Sequence, residues 1–296
     1  TGLTDYLEDI RNADMVLLQE VDTLARRSFQ TNLKELVSMA LPDYHAFFAL
    51  NYLSAFVPVP LSEPMGPVRS GLLTLSAYQP SQAIRYALPG RYAWPKRLFM
   101  PERCLLLLRF PLINGKELVV MNIHNSAFDA GGSQRREQLE FIRRIAGAEH
   151  AKGHYVIVGG DWNQNPPGYE PGEVENGDTA VIIPPPIQDT LLPGWTWAYA
   201  PGTPTNRFLD MPYARGSTLT TIIDFFLLSP GVQLLDVTTA DLAFRHSDHH
   251  PVKVREAGLI IPRRGKPRCH RHEKGLPRSG ASRPGSAPPN PSKGRT

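Results

Sequence analysis

Read along the chain, the apolar positions change period repeatedly. In LTDYLEDIRNA, Leu3, Leu7 and Ile10 recur at helical spacing and Thr4 stands where a cap belongs. ADMVLLQE follows as a short buried strand, Met15 to Leu18, ending in polar residues. TNLKELVSMAL predicts a second helix on Leu33, Leu36, Val37 and Ala40. NYLSAFVPVPLSEPMGPVRS is rich in proline and predicts a long ordered loop. GLLTLSAY and CLLLLRF predict strands, and Asn114-Gly115 predicts a tight hairpin between two apolar runs. SQRREQLEFIRRIAGAEHAKG predicts an amphipathic helix with Leu139, Ile142, Ile145 and Ala146 inward and its charges solvated. HYVIVGGDWN, TTIIDFFLLSP and HHPVKV predict further strands. Many strands, few helices and no regular βαβ repeat predict layered α/β sheets, with no linker before about residue 258.

Several of these apolar strands stop at a residue capable of chemistry. MVLLQE ends at Glu20, LVVMNIH at His124, and YVIVGGDWN at Asp161 and Asn163. Asp224 opens DFFLL, and FRHSDHHPV places Asp248 and His249 just before VKV. The last stretch alone admits three readings: a metal cluster, an acid–base pair or a His-rich polar turn. Taken together, carboxylates with an Asn carbonyl are hard ligands suited to Mg2+ or Mn2+. Histidines beside them exchange protons or donate to an oxyanion. No HExxH motif, P-loop, GxGxxG or GxSxG is present, which disfavours zinc proteases, nucleotide-cradling folds and acyl-transferring serines. Hydrolysis of a phosphate ester uses hard metal, base and oxyanion donors together.

Composition narrows the classes further. The 296 residues are 41% hydrophobic and 20% charged, an ordinary globular mix. No apolar run reaches the roughly 18–20 residues that span a bilayer. Two cysteines make no disulfide framework and leave the compartment undetermined; Cys104, in an apolar run, is expected to be a buried thiol. The net charge of +4 is unevenly placed: residues 263–296 hold ten Lys/Arg and one acid, Glu273, so residues 1–262 are mildly acidic. The chain therefore divides into a domain over 1–258 and a Pro/Gly/Ser-rich basic tail over 259–296 that is too poor in apolar residues to fold alone. The tail is expected to be a solvated appendage; contact with phosphates is the alternative.

LQEVD, NIHN, GGDWN, IIDFFLLS and SDHHPV, in this order, resemble the endonuclease/exonuclease/phosphatase superfamily of metal-dependent phosphodiesterases. The resemblance covers residues 3–256 and implies a four-layer α/β sandwich, two packed mixed sheets flanked by helices. By resemblance, Glu20 and Asp248 hold the divalent metal, Mg2+ or Mn2+. His124 contacts the scissile phosphate, Asp161 and Asn163 position water and phosphate, and His249 is the acid–base residue, oriented by Asp224. Trp162 stands where the family more often has Phe. The family's first core strand, with a metal-site asparagine, is expected ahead of Thr1 and is missing from this chain.

The remaining motifs weigh less. Asn206 and Arg207 are candidate phosphate contacts. Trp195, Trp197 and Tyr199 in GWTWAYAPGTPTNR either pack a long loop or stack on a base, a sugar or a lipid. His246 and His250 are read as solvated or locally hydrogen-bonded. Residues 164–178 are acidic and disfavour a long polyanion beside them. A monomeric nuclease is the first expectation, with nucleic acid as substrate; a phosphatase or a phosphodiesterase for small or lipid substrates is the second. A truncated, non-catalytic interaction protein whose basic tail binds a polyanion is the third.

Overall fold

The computed structural model describes residues 10–127, 129, 131–170, 185–209 and 211–262. The first expected helix up to residue 9 lies outside them, as do residues 171–178 of the acidic stretch and residues 263–296 of the basic tail. The chain builds β1 (Met15–Ala25), α1 (Leu33–Ala40), β2 (His45–Val57) and β3 (Gly66–Ser76) first. There follow β4 (Gln82–Ala87), β5 (Cys104–Pro111), β6 (Glu117–His124), α2 (Ser133–Ala151) and β7 (Tyr155–Asp161). Shorter strands complete it: β8 (Thr196–Ala198), β9 (Asn206–Arg207), β10 (Thr220–Thr221), β11 (Asp224–Leu228), β12 (Gln233–Thr239) and β13 (Val252–Ala257). One sheet has the order β1-β3-β2 and the other β4-β5-β6-β7-β11-β8; β9 with β10 and β12 with β13 form two-stranded ribbons.

The uninterrupted apolar run of β5 has a simple cause: both of its faces are covered. Leu105 and Leu107 pack with Met121, Ile123 and Val158 against Leu139, Ile142 and Ala146 of α2. The alternate residues Cys104, Leu106, Leu108 and Phe110 meet Ala49 and Leu72 of the other sheet. On the far side, Val37 of α1 covers Val21, Leu73 and Leu75. Helix, sheet, sheet and helix therefore form the four expected layers. Each fully buried Leu or Ile contributes about 1.5–3 kcal/mol before chain entropy is set against it. Cys104 is the buried thiol expected, and burial raises it to about 11.

The hairpin at Asn114-Gly115 forms as expected, with Gly115 at φ +78 and the Lys116 carbonyl accepting from Leu112 N. The proline-rich stretch departs from expectation. β2 runs on to Val57 and β3 starts at Gly66, so only residues 58–65 form a connection. The prolines do not break the ladder: Pro58, Pro60 and Pro64 lie in the turn, and Pro67 falls at a register shift between Ser54 and Val57. β1 is also longer than expected, continuing past a bulge between Leu18 and Val21.

The expectation that α2 would keep its charges in solvent holds only in part. Arg135, Gln138 and Glu149 are buried. Arg135 returns its guanidinium to the carbonyls of Ser126, Ala127 and Asp129, while the Asp129 carboxylate accepts from Arg135 N. Gln138 accepts from Ser126 N and donates to Ser126 Oγ and to the Pro89 carbonyl. These bonds clamp the loop that follows His124. The aromatic stretch packs rather than projects. Trp195 is buried, Trp197 meets Trp162 and Phe225 edge-on, and Tyr199 donates to the Pro167 carbonyl.

Candidate active site at the strand ends

Three neighbouring strands end level with one another. In the parallel pair β6–β7, His124 stands opposite Asp161; in the antiparallel pair β7–β11, Asp224 stands opposite Asp161. His124, Asp161 and Asp224 therefore lie side by side on one rim. The glycines before Asp161 make the approach possible. A Cβ on Gly160 would meet the Ile123 carbonyl oxygen at 2.2 Å, and one on Gly159 the Phe226 ring at 2.4 Å. Trp162 then locks the rim from below: it is stacked on Phe225, donates Nε1–H to the Phe225 carbonyl at 3.0 Å and is fully buried.

His249 joins from the loop before β13, through an antiparallel bridge to Asn206. Its Nδ1 lies 2.8 Å from Asp224 Oδ2, and its Nε2 lies 3.0 Å from Asn206 Nδ2. Thr205 Oγ1 accepts from the backbone N–H of Ile223 and of Asp224, which fixes the start of β11. On the other flank, His124 Nε2 lies 3.2 Å from Asp161 Oδ2, and Asn163 N donates to Asp161 Oδ1 at 2.8 Å. Asn163 is held at φ +51 with its amide Nδ2 on the Asn125 carbonyl.

The electrostatics separate the two histidines. Burial, reinforced by the charges of Arg103, His249 and Arg27, holds His124 well below the ordinary imidazole range. It is neutral, with Nε2 beside the Asp161 carboxylate. Burial also pulls His249 down, but the charge and hydrogen bond of Asp224, with Asp161 and Asp248, outweigh it and raise His249 to about 10. Burial and the Asp224 charge push Asp161 up to about 7, against His249, the Asn163 N–H and Arg103. Asn206 opposes protonation of His249, because its Nδ2–H groups point at His249 Nε2 and at the Asp248 carbonyl. That pattern fits a lone pair on Nε2. The carboxylate field is the stronger influence while no cation neutralises it.

The other expected residues are placed as follows. Glu20 sits on the β1 bulge at φ +54, exposed, with Oε2 on Arg27 Nη1. Arg27 in turn grips buried Asp22 through two 2.9 Å bonds. Asp248 uses its backbone carbonyl to accept from Asn206 Nδ2 and Arg207 N. Arg207 directs its guanidinium to the carbonyls of Phe208 and Met211, away from the carboxylates. His246 is exposed. His250 is buried, stacked on Phe244, with Nδ1 on the Pro204 carbonyl and Nε2 accepting from Phe244 N. It is a local packing residue, as expected.

One charged residue at this rim was not anticipated from the sequence. Arg103, buried just ahead of β5, feels the charges of both Glu20 and Asp161. Its Nε, His124 Nδ1 and both amide atoms of Asn125 are buried without a hydrogen-bond partner among the described residues. Arg103 stands immediately ahead of the apolar run CLLLLRF, a position that sequence alone reads as solvated.

Asp161, Asp224 and His249 each offer one ligand atom, all within 4.8 Å of one another. Glu20 and Asp248 are not part of that group. Two hard carboxylates and an imidazole suit a divalent cation, which would relieve the crowding that lifts Asp161.

No curated protein matches this sequence significantly. Solved structures do resemble it in fold. An endonuclease/exonuclease/phosphatase from Beutenbergia cavernae DSM 12333 aligns at TM-score 0.60 and 15% identity over 86% of this chain; the chain spans 64% of that protein's length. ANGEL2, a 2',3'-cyclic phosphatase, aligns at 0.53 and 15% identity, covering 84% of this chain and 83% of its own. The mannosyl-6-phosphatase Bt3783 of Bacteroides thetaiotaomicron VPI-5482 aligns at 0.53 and 15% identity, covering 87% and 90%. The sequence itself matches the Endonuclease/Exonuclease/phosphatase family over residues 1–249. This chain therefore belongs to that family of phosphate-ester hydrolases.

Proposed function

We propose that the chain hydrolyses phosphodiesters at this rim with a divalent cation, Mg2+ or Mn2+. The observation that carries the reading is the alignment of His124, Asp161, Asp224 and His249 across three strands and one loop. Asp224 fixes the His249 tautomer through Nδ1, leaving Nε2 as the atom that gives a proton to the leaving oxygen or takes one from water. Asp161, raised to about 7, is suited to orient water and accept its proton. His124, neutral and 3.2 Å from the Asp161 carboxylate, borders that carboxylate and carries no charge to the phosphate itself. Asn163 and Asn206 border the space the phosphoryl oxygens would enter, and Arg103 supplies a fixed positive charge behind it. A bound cation would polarise the phosphoryl oxygens and lower the pKa of water.

Two ligand sets compete. The family resemblance favours Glu20 and Asp248, whereas the 4.8 Å grouping favours Asp161, Asp224 and His249. Glu20 would have to exchange Arg27 for the cation. The domain is proposed to be residues 1–258, followed by the basic tail, of which Leu259 and Ile261 still pack against the core. The similar folds of a cyclic phosphatase and a sugar phosphatase support a broad substrate class, phosphatase action included. Nucleic acid fits the family, while the mildly acidic body favours a smaller or lipid phosphodiester.

The test is turnover of bis(p-nitrophenyl) phosphate by the purified chain with Mg2+ or Mn2+. EDTA should abolish it, and His249→Ala and Asp161→Asn should each slow it by about 10²–10⁴-fold. Turnover within about tenfold of the parent in both variants would remove the assigned roles.

A further inference from the structure

The first sheet reaches past the catalytic rim. A Cβ on Gly159 would touch Leu17, and one on Gly160 would touch Gln19, so β1 runs alongside β7 in the same sense and Glu20 comes level with Asp161. Val21 of β1 and Leu50 of β2 both stand opposite Gly71 of β3. Everything in β2 after Leu50, and the turn to Gly66, therefore projects beyond the site. The loop between β4 and β5 is tied to this projection. Tyr52 Oη donates to the Phe99 carbonyl at 2.7 Å and Ser54 Oγ to the Leu98 carbonyl at 3.1 Å. The loop also reaches the site: Arg103, whose charge acts on both Asp161 and the Tyr52 hydroxyl, ends it.

These two segments carry exposed apolar side chains. Leu53, Phe56, Val59 and Leu61 on the hairpin and Trp94 and Leu98 on the loop are 49–86% exposed. Isolated exposed apolars need no explanation, but six on two bonded segments beside one site do. The loop is also cationic. Between β4 and β5, residues 88–103 hold four Lys/Arg and one acid, Glu102, and Arg91, Lys96 and Arg97 are exposed around Trp94. Tryptophan with aliphatics and flanking Lys/Arg is the composition that settles at an anionic membrane surface, rings at headgroup depth and cations on phosphates. A single-stranded nucleic acid would call for stacking faces, and four of these six side chains are aliphatic.

We propose that the β2–β3 hairpin and the β4–β5 loop dock on an anionic lipid surface, which presents lipid headgroup phosphate esters to the adjacent rim. The docking stands on its own; the substrate class rests on the hydrolase reading above. The experiment is co-sedimentation of the full chain with phosphatidylcholine vesicles holding about 30% phosphatidylglycerol. The parent chain should bind. Trp94→Ala with Leu98→Ala should weaken binding by about tenfold or more at an unchanged melting temperature. Lys96→Glu with Arg97→Glu should weaken it about as much, with a shallower salt dependence. The basic tail is common to all three proteins and cancels in the comparison. Turnover of soluble bis(p-nitrophenyl) phosphate should be unchanged in both variants. Failure of the parent to bind, or equal binding by the Trp94/Leu98 variant, overturns the docking. So does an oligonucleotide whose binding these substitutions weaken more than they weaken vesicle binding. Vesicle binding that responds as expected, in a chain that turns over no phosphate ester, upholds the docking and removes only the substrate assignment.

Discussion

At the scale of single residues, the site is a balance between crowded carboxylates and one imidazole. Asp224 and its neighbours raise His249 from 6.5 to about 10. The folded value exceeds the unfolded one, so the protonated ring favours folding. That contribution is complete below about pH 6.5 and disappears as the pH rises through 10. Asp161 acts in a lower window. Its carboxyl, raised from 3.8 to about 7, binds a proton in the folded chain that the unfolded chain has released. Its burial therefore costs stability progressively as the pH climbs through that range. In metal-free protein, NMR of the His249 ring should show titration far above 6.5, and Asp224→Asn should bring it down to or below that value. A parent titration near 6.5 would contradict the pairing. The pairing itself was legible: Asp224 at the mouth of DFFLL and His249 before VKV are both strand-end residues, and they meet at 2.8 Å. Arg103 was not, because an arginine ahead of an apolar strand is by default solvated, and only tertiary packing buries it.

At the scale of elements, the rim depends on strands that approach more closely than side chains allow. Gly160 sits at φ +136 with the Ile123 carbonyl where a Cβ would be. Gly160→Ala should therefore destabilise the fold by more than about 2 kcal/mol, read as a lowered urea midpoint with m unchanged. A melt within about 0.5 kcal/mol of the parent would mean that β6 and β7 are not pinned as described. The GG before Asp161 was visible in the sequence, but its reason, two strands converging on one carboxylate, was not. The hairpin at Asn114-Gly115 and the doubly buried CLLLLRF were legible because local turn chemistry and continuous apolarity determine them. The second half of β2 and the start of β3 escape the sequence pattern because proline, ordinarily a breaker, here marks the turn and one bulge.

At the scale of the whole molecule, two packed sheets and two covering helices bring residues from positions 20 to 249 to one end. Order along the chain indicated the participants, while their distances depended on register. Only the structure shows that Asp161, Asp224 and His249 cluster and that Glu20 faces Arg27. Calorimetric Mg2+ titration separates the two ligand sets: if Asp161 and Asp224 hold the cation, Asp224→Asn weakens binding by at least about tenfold and Glu20→Gln leaves it nearly unchanged. The reverse order would assign the cation to Glu20 and Asp248. The central claim, that His249 and Asp224 work as one catalytic unit on a phosphate ester, is tested most directly by phosphodiester turnover in a double-mutant cycle. At saturating Mg2+, the account predicts that His249→Ala alone lowers the rate by about 10²–10⁴-fold and that adding Asp224→Asn costs little more. Rate losses that multiply, or a His249→Ala chain that keeps the parent rate, would contradict it.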